Sequence, residues 1–344
     1  MKIADFEIGL GRTFIIAEIS ANHGNDLEIT KNTIRAAKKA GADAVKLQTY
    51  TADTLTLDCE KEDFIIHGTI WDGKKLYDLY KEASLPWEWH EELFETARNE
   101  GLICFSSPFD KTAIDFLEDL KTPAYKIASF EITDIPLIEY AASKGKPMII
   151  STGIATEEDI RLAVDTCRKT GNEDIILLKT TSQYPAKIED ANISMIPDME
   201  KRFNVLAGLS DHTLGIVVPV VATALGAKVI EKHFILDKSI GGPDASFSLD
   251  VNEFAEMVRA VRDAERSLGN TDYSLTEKMK KSRQFARSLY IVKDIKAGEM
   301  LTEDNVRSIR PGYGLHPKYY FDILGKTVKQ DLEKGTALSW DHLT

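Results

Sequence analysis

FIIAEISANHGNDLEITKNTIRAAKKAGADAVKLQTY, residues 14–50, is the stretch whose pattern decides the fold. Its two ends, FIIAE (14–18) and AVKLQ (44–48), are short apolar runs closing on polar residues, as strands do. Between them, LEITKNTIRAAKKAGA (27–42) places apolar and small residues at helical spacing, with a glycine after the last lysines. The unit therefore runs strand, helix, strand. It recurs along the chain in ICFSS (103–107), AYKIAS (124–129), PMIIST (147–152), IILLKTT (175–181), VLAGLSDH (205–212) and KVIEKHF (228–234), about eight apolar runs in all. Eight is the number that closes a parallel barrel. An open doubly wound sheet alternates in the same way, but no GxGxxG follows the first strand. The pattern predicts an α/β chain with a (β/α)8 TIM barrel over residues 1–270.

Two regions depart from the repeat. Residues 59–86, with Trp71, Tyr77 and Tyr80, form a connection long enough to act as a partial lid over a site. Beyond the helical segment at 251–268 the chain becomes polar, and residues 271–282 are expected to link to a second domain at 283–344. In that tail DIKAGEMLTEDNV (294–306) and DLEKGTALSWDHL (331–343) match in Asp, Gly, Leu, Asp and a final apolar residue. The internal repeat predicts a small β-rich module.

The chain has 344 residues, 43% of them hydrophobic and 28% charged, enough for one large domain and a small one. A formal net charge of -12 repels polyanions, so neither nucleic acid nor an anionic membrane surface is an expected partner. The N-terminal residues lack the basic start and apolar core of a secretory signal, and no run of about 18 apolar residues is present to cross a bilayer. The expected location is the cytoplasm. Cys59, Cys104 and Cys167 are odd in number and scattered, so reduced thiols without a catalytic role are expected.

In a closed parallel barrel, polar residues at the strand C-terminal ends converge on one mouth. Glu18, Lys46, Gln48, Lys126, Ser129, Glu131, Ser151, Thr181, Ser182, Tyr184, Ser210, His212, Glu231 and His233 all lie at or near such ends. The strand period of two puts Lys46 with Gln48, Ser210 with His212, and Glu231 with His233 on shared faces. If those faces point inward, Asp211 and Lys232 point outward, where they must snorkel or pair with helix residues. His212 and His233, with Asp244 soon after, form a candidate divalent-metal site, since neutral imidazole suits borderline ions. Residue types alone do not choose among manganese, iron, cobalt and zinc. Satisfied strand-end histidines are the structural alternative. Lys46 and Lys126, aided by serine hydroxyls, would cradle an anion. A Schiff-base lysine, Lys126 or Lys179, remains an alternative. Glu18 and Glu231 lie in apolar runs, so each is either a salt-bridged structural group or a carboxylate of shifted pKa. His90, in LPWEWHEELFE (85–95), is assigned a solvated or capping role.

FIIAEISANHG, GADAVKLQTY, CFSSPF, AYKIASFEIT, IISTGIAT, GLSDHTLG and ALGAKVIEKHF together resemble the sialic acid synthase family over essentially the whole chain. The tail resembles that family's antifreeze-like (SAF, β-clip) domain. SFE (129–131), LYDLYKEASLPWEWH (76–90) and FSLD (247–250) resemble the pseudaminic branch more than the N-acetylneuraminate or legionaminate branches, and sialic acid synthases usually carry SGE in place of SFE. Phe130 stands where that glycine usually stands.

The resemblance implies that phosphoenolpyruvate condenses with 2,4-diacetamido-2,4,6-trideoxy-L-altrose and water, releasing phosphate by C–O cleavage. It implies a divalent cation on His212 and His233, commonly manganese, with cobalt or magnesium as alternatives. Glu18 would stand beside the reacting centre. Lys46, Lys126, Ser129, Ser151 and Ser210 would hold phosphoenolpyruvate, with Gln48 nearby, and Glu131, Tyr184 and Asp244 would meet sugar or metal-bound water. Glu231 is placed with the substrate-binding groups. Arg310, in IRPG, would enter the partner subunit's site, which implies a domain-swapped homodimer. The rival functions are a Schiff-base aldolase on the same barrel and a non-catalytic carbohydrate-binding protein.

Overall fold

The computed structural model describes residues 1–69 and 71–344. Its contacts divide the chain into two units, Met1–Gly269 and Asn270–Thr344.

In the first unit a short hairpin, β1 (Lys2–Ile3) and β2 (Phe6–Glu7), precedes the barrel strands. These are β3 (Phe14–Glu18), β4 (Ala44–Thr49), β5 (Ile103–Pro108), β6 (Tyr125–Ile127), β7 (Met148–Ser151), β8 (Ile175–Thr180), β9 (Leu206–Asp211) and β10 (Val229–His233). They pair in sequential order, and β10 closes the ring by pairing in parallel with both β9 and β3. The TIM-type barrel expected from the repeat is the one observed. The first connecting helix, Leu27–Ala40, shows why its sequence is helical. Asp26 accepts a hydrogen bond from the Ile29 N–H at 2.9 Å. Gly41, at φ 96°, ends the helix in the left-handed conformation that glycine adopts at no steric cost.

Inside the barrel Phe14, Ile16, Ala44, Phe105, Ala124, Ile149, Ile176, Leu178 and Val229 form a buried apolar plug, joined by Ile3 and Ile8 from the N-terminal hairpin segment. Each large aliphatic group buried there stabilises the fold by about 1.5–3 kcal/mol. The pleat then dictates what lies above. Two residues beyond Ile16 is Glu18, beyond Ala44 is Lys46, beyond Ala124 is Lys126, beyond Ile149 is Ser151, and beyond Val229 are Glu231 and His233. The plug is thus a rigid base under a polar floor. At Gly208 a Cβ would lie 2.4 Å from the Val229 carbonyl oxygen, so β9 approaches β10 as closely as only glycine permits.

The opposite faces of β9 and β10 carry Asp211 and Lys232, both fully buried, with Lys232 Nζ 2.5 Å from Asp211 Oδ2. Asp211 Oδ1 also accepts from the Thr213 N–H at 3.0 Å and the Thr213 hydroxyl at 2.9 Å. The two pair with each other rather than with helix residues, because β9 and β10 are neighbours and register Lys232 opposite Asp211.

The second unit contains an antiparallel pair, β11 (Ser288–Ile291) and β12 (Val306–Ile309). Residues 271–282 include a short helix, Glu277–Ser282. The two repeated pieces of the tail are symmetry mates in space. Ile295 and Leu332 exchange both backbone hydrogen bonds at 2.9 Å. Asp294 accepts from Lys334 N at 2.8 Å, and Asp331 accepts from Ala297 N at 2.9 Å. Gly298 N bonds to Val328 O, and Gly335 N bonds to Ile291 O, each at 2.8 Å. Matched Leu301 with Leu338, and Val306 with Leu343, fill a separate apolar core. Among the described residues no helix is long and apolar enough to cross a membrane.

Candidate active site

The barrel candidates converge. Glu18, Lys46, Gln48, Lys126, Ser129, Glu131, Ser151, Tyr184, Ser210, His212, Glu231, His233 and Asp244 all line one cavity of about 350 Å³ at the C-terminal ends of the strands. Arg310 follows β12 in the second unit and is exposed.

The floor of the cavity alternates in charge. Gln48 Nε2 donates to Glu18 Oε1 at 2.9 Å, and Glu18 Oε2 lies 2.9 Å from Lys46 Nζ. Lys46 Nζ is also 3.2 Å from Glu231 Oε1, which accepts from the Ser210 hydroxyl at 2.9 Å. Lys126 Nζ lies 3.9 Å from the same Glu231 oxygen and donates to Ser151 Oγ at 2.7 Å. All four charged groups are almost completely buried. Burial drives the Glu18 carboxyl well above the usual carboxylate range, against the pull of Lys46. Burial acts on Glu231 in the same sense, but Lys126 and Lys46 outweigh it and hold that carboxyl low. Burial lowers Lys126, and Lys46 adds to the effect. Burial also acts to lower Lys46, yet Glu18 and Glu231 keep its net shift upward. Burial also lifts Glu131 to about 7. The two lysines therefore lie against two carboxylates, a feature that strand spacing alone does not disclose.

Across the floor stand the two histidines, with ring centroids 5.2 Å apart. Burial pushes His212 down to about 4 and His233 well below its ordinary value, so both rings are neutral at pH 7. His212 Nδ1 lies 2.9 Å from the Thr181 carbonyl, which can only accept, so Nδ1 carries the proton and Nε2 keeps its lone pair. His233 Nδ1 is buried without a hydrogen-bond partner, and Asp244 Oδ2, 3.7 Å away, is engaged by Ser20. Among the described residues no third His, Cys, Asp or Glu completes a ligand cluster. Two neutral imidazoles with an orphaned nitrogen fit a divalent cation that takes its remaining ligands from water or substrate.

Several placements refine the sequence reading. Thr180, not Thr181, lines the cavity, because β8 keeps Ile176 and Leu178 inward. Lys179 lies on the other face and donates to its neighbour's carbonyl at 2.8 Å, so it is absent from the cavity lining. His90 is not solvated. It is fully buried, its ring bridging Thr49 Oγ1 at 2.9 Å and the Pro86 carbonyl at 3.2 Å. The 59–86 connection does border the cavity, through Ile66, Thr69, Trp71, Leu76, Leu79, Tyr80 and Ala83, while its Ile70 lies outside the described residues. Ser20 and Tyr50 also line the cavity, and strand parity was the available signal, each lying two residues beyond an inward group. Gly153 had no such signal. A Cβ there would lie 2.7 Å from Ser129 Oγ and collide with Ser182 Oγ.

The chain resembles known proteins along its length. The model of the NeuB family matches residues 33–273, and that of the SAF domain matches residues 286–344. A pseudaminic acid synthase of Campylobacter jejuni is 54% identical over 338 residues, covering 98% of each chain. One from Helicobacter pylori is 51% identical over 330 residues, covering 96% of this chain and 97% of its own. The solved N-acetylneuraminic acid synthetase of Leptospira borgpetersenii, in complex with citrate, superposes with a TM-score of 0.73 at 30% identity, covering 82% of this chain and 94% of that one. Matched by a family model over most of its barrel and by relatives of its own length at about half identity, the chain belongs to the NeuB family and ends in a SAF domain.

Proposed function

We infer that this chain condenses phosphoenolpyruvate with 2,4-diacetamido-2,4,6-trideoxy-L-altrose and water to give pseudaminic acid and phosphate. The observation that carries the reading is one cavity in which the Lys46, Lys126, Glu18 and Glu231 floor faces the His212 and His233 pair, in a chain 54% identical to a relative of that name.

The residues support a division of labour. Lys46 and Lys126, with the Ser129, Ser151 and Ser210 hydroxyls, present fixed donors to the phosphate and carboxylate of phosphoenolpyruvate. His212 and His233 would hold the divalent cation, with manganese the expected ion, and when bound it would supply Lewis-acid polarisation of the sugar aldehyde. Gln48, Glu131 and Tyr184 would orient the open-chain sugar, and Asp244, held by Ser20, would fix the loop beside His233. Carbon–carbon bond formation then joins C3 of phosphoenolpyruvate to the aldehyde carbon and leaves C2 electron-poor. The carboxylates of Glu18 and Glu231, beside Lys46 on the cavity floor, would offset that developing positive charge. Glu18, whose carboxyl is raised by burial, can hold and return a proton as water adds at C2 and the C2–O bond to phosphate breaks.

One observation favours a second reading. The Lys126 amine is desolvated and its pKa lowered, which suits a Schiff-base aldolase. Borohydride trapping separates the two: a covalent keto-acid adduct on Lys126 supports the aldolase, and metal-dependent phosphate release requiring both substrates supports the synthase.

The same reading places the enzyme in the cytoplasm, where phosphoenolpyruvate is made, as a homodimer whose Arg310 completes the partner subunit's site. Mass spectrometry of products from phosphoenolpyruvate with the altro sugar, its gluco-type isomer and N-acetylmannosamine tests the branch. Efficient turnover of N-acetylmannosamine in preference to the altro sugar would contradict it.

A further inference from the structure

The cavity has two chemically different sides. Its floor is ionic, but the segment over residues 52–83 lends it Ile66, Trp71 and Leu79 among other apolar groups, with Thr69 and Tyr80 as hydroxyl-bearing members, and among the described residues no charged side chain of that segment lines it. The segment is rich in charge, so this sorting is not a matter of composition. Its ions face away and pair with one another: Lys75 Nζ lies 2.7 Å from Asp58 and 2.9 Å from Glu60, and Lys74 Nζ lies 2.9 Å from Glu82. Backbone bonds between Ile66 N and Lys74 O at 2.9 Å, and between Gly73 N and Ile66 O at 2.8 Å, fix Ile66 in a small hairpin. The Trp71 ring stands 6.1 Å from the Tyr184 ring, which is 4.5 Å from that of His212. The apolar roof is therefore one aromatic ring removed from the imidazole pair.

A hexose whose aldehyde carbon lies at the histidines directs its far end, C5 and C6, away from the ionic floor and toward this roof. Hydroxyl and amide groups find partners among Gln48, Glu131 and the serines below. Against the carbon surface of Ile66, Trp71 and Leu79, apart from the Thr69 and Tyr80 hydroxyls, a C6 hydroxyl would lose bonds to water that this surface does not replace, whereas a C6 methyl would lose nothing.

We propose that the roof built by Ile66, Trp71 and Leu79 is the subsite for the 6-deoxy end of the sugar and selects a C6 methyl over a hydroxymethyl. The proposal rests on the synthase reading and adds to it the element that makes the choice at C6. An apolar surface rejects an added hydroxyl by on the order of a hundredfold in kcat/KM.

The test uses the full-length, manganese-loaded enzyme with phosphoenolpyruvate and two sugars, the 6-deoxy altro substrate and its 6-hydroxy counterpart. The wild type should prefer the 6-deoxy sugar by about a hundredfold in kcat/KM. Ile66→Ser should narrow that ratio about tenfold or more, while Ile66→Val, which keeps the surface apolar, should preserve it. Equal kcat/KM for the two sugars in the wild type, or an unchanged ratio in a folded Ile66→Ser enzyme, overturns the roof assignment and leaves the synthase reading standing. Absence of any nonulosonate product from the 6-deoxy sugar in the wild type overturns the synthase reading, and the roof assignment with it.

Discussion

Lys232 Nζ lies 2.5 Å from Asp211 Oδ2 on the outer face of the barrel, next in sequence to His233, which ends β10, and His212, which follows β9. Because alternate residues face opposite ways, a buried ion pair outside the ring fixes the relative height of two imidazoles inside it. Lys232 also donates to the Thr213 carbonyl, so the pair anchors the turn that leaves β9 just after His212.

Breaking that pair from one side should be costly. Lys232→Met strands the Asp211 carboxylate in the interior, and the expected loss of folding stability is about 3–5 kcal/mol. Replacing both partners, as in Asp211→Leu with Lys232→Met, should recover most of it. Chemical denaturation of the single and double variants checks this, and a stable Lys232→Met protein would show that the pair does not hold the strand ends.

Glu18→Gln should separate binding from chemistry. It removes a negative charge beside Lys46, so KM for phosphoenolpyruvate should not rise, while kcat should fall by about 10²–10⁴ if Glu18 handles a proton. Steady-state kinetics would contradict the assignment by giving a raised KM with unchanged kcat.

The buried histidines predict a specific pH signature. His90 has its folded pKa lowered to about 4 from 6.5 by burial, opposed by its backbone contacts. Its contribution is fully present above pH 6.5 and is lost as pH falls toward 4, because only the unfolded chain takes up the proton over that range. Glu131, raised by burial to about 7 from 4.5, works in the opposite direction as pH falls from 7 to 4.5, so wild-type stability alone does not isolate the effect. The difference between wild type and His90→Gln does. Relative to the variant, the wild type should lose about 3 kcal/mol between pH 7 and pH 4. A difference independent of pH would mean that His90 is not held neutral.

Arg310 lies in the tail unit yet is assigned to substrate binding in a partner subunit. Arg310→Ala should raise KM for the sugar about tenfold or more while leaving the protein folded. Sugar affinity unchanged in Arg310→Ala, or in a chain ending near Ser282, would remove the tail from the site.

Much of this architecture was legible from parity and repetition. FIIAE and AVKLQ announce strands, and the period of two correctly placed Lys46 with Gln48, Ser210 with His212, and Glu231 with His233 inside one mouth. The tail repeat was equally readable, since matched residues of 294–306 and 331–343 make reciprocal bonds. Partners distant in sequence were not. Nothing in AVKLQ says that Lys46 will be neutralised by Glu18 and Glu231, each from another strand. His90 misled because it opens an amphipathic helix rich in glutamate, and its burial depends on Thr49, contributed by β4. Gly153 was silent because its role is the absence of a side chain near Ser129 and Ser182.

The central claim is that phosphoenolpyruvate and a divalent cation meet between the lysine floor and the histidine pair. Anomalous diffraction from crystals of the full-length protein soaked with manganese and phosphoenolpyruvate tests it most directly. The account predicts a manganese peak shared by the His212 and His233 imidazoles, with the phosphate and carboxylate of phosphoenolpyruvate on Lys46 and Lys126. Manganese bound away from both imidazoles, or phosphoenolpyruvate seated outside the barrel mouth, would contradict it.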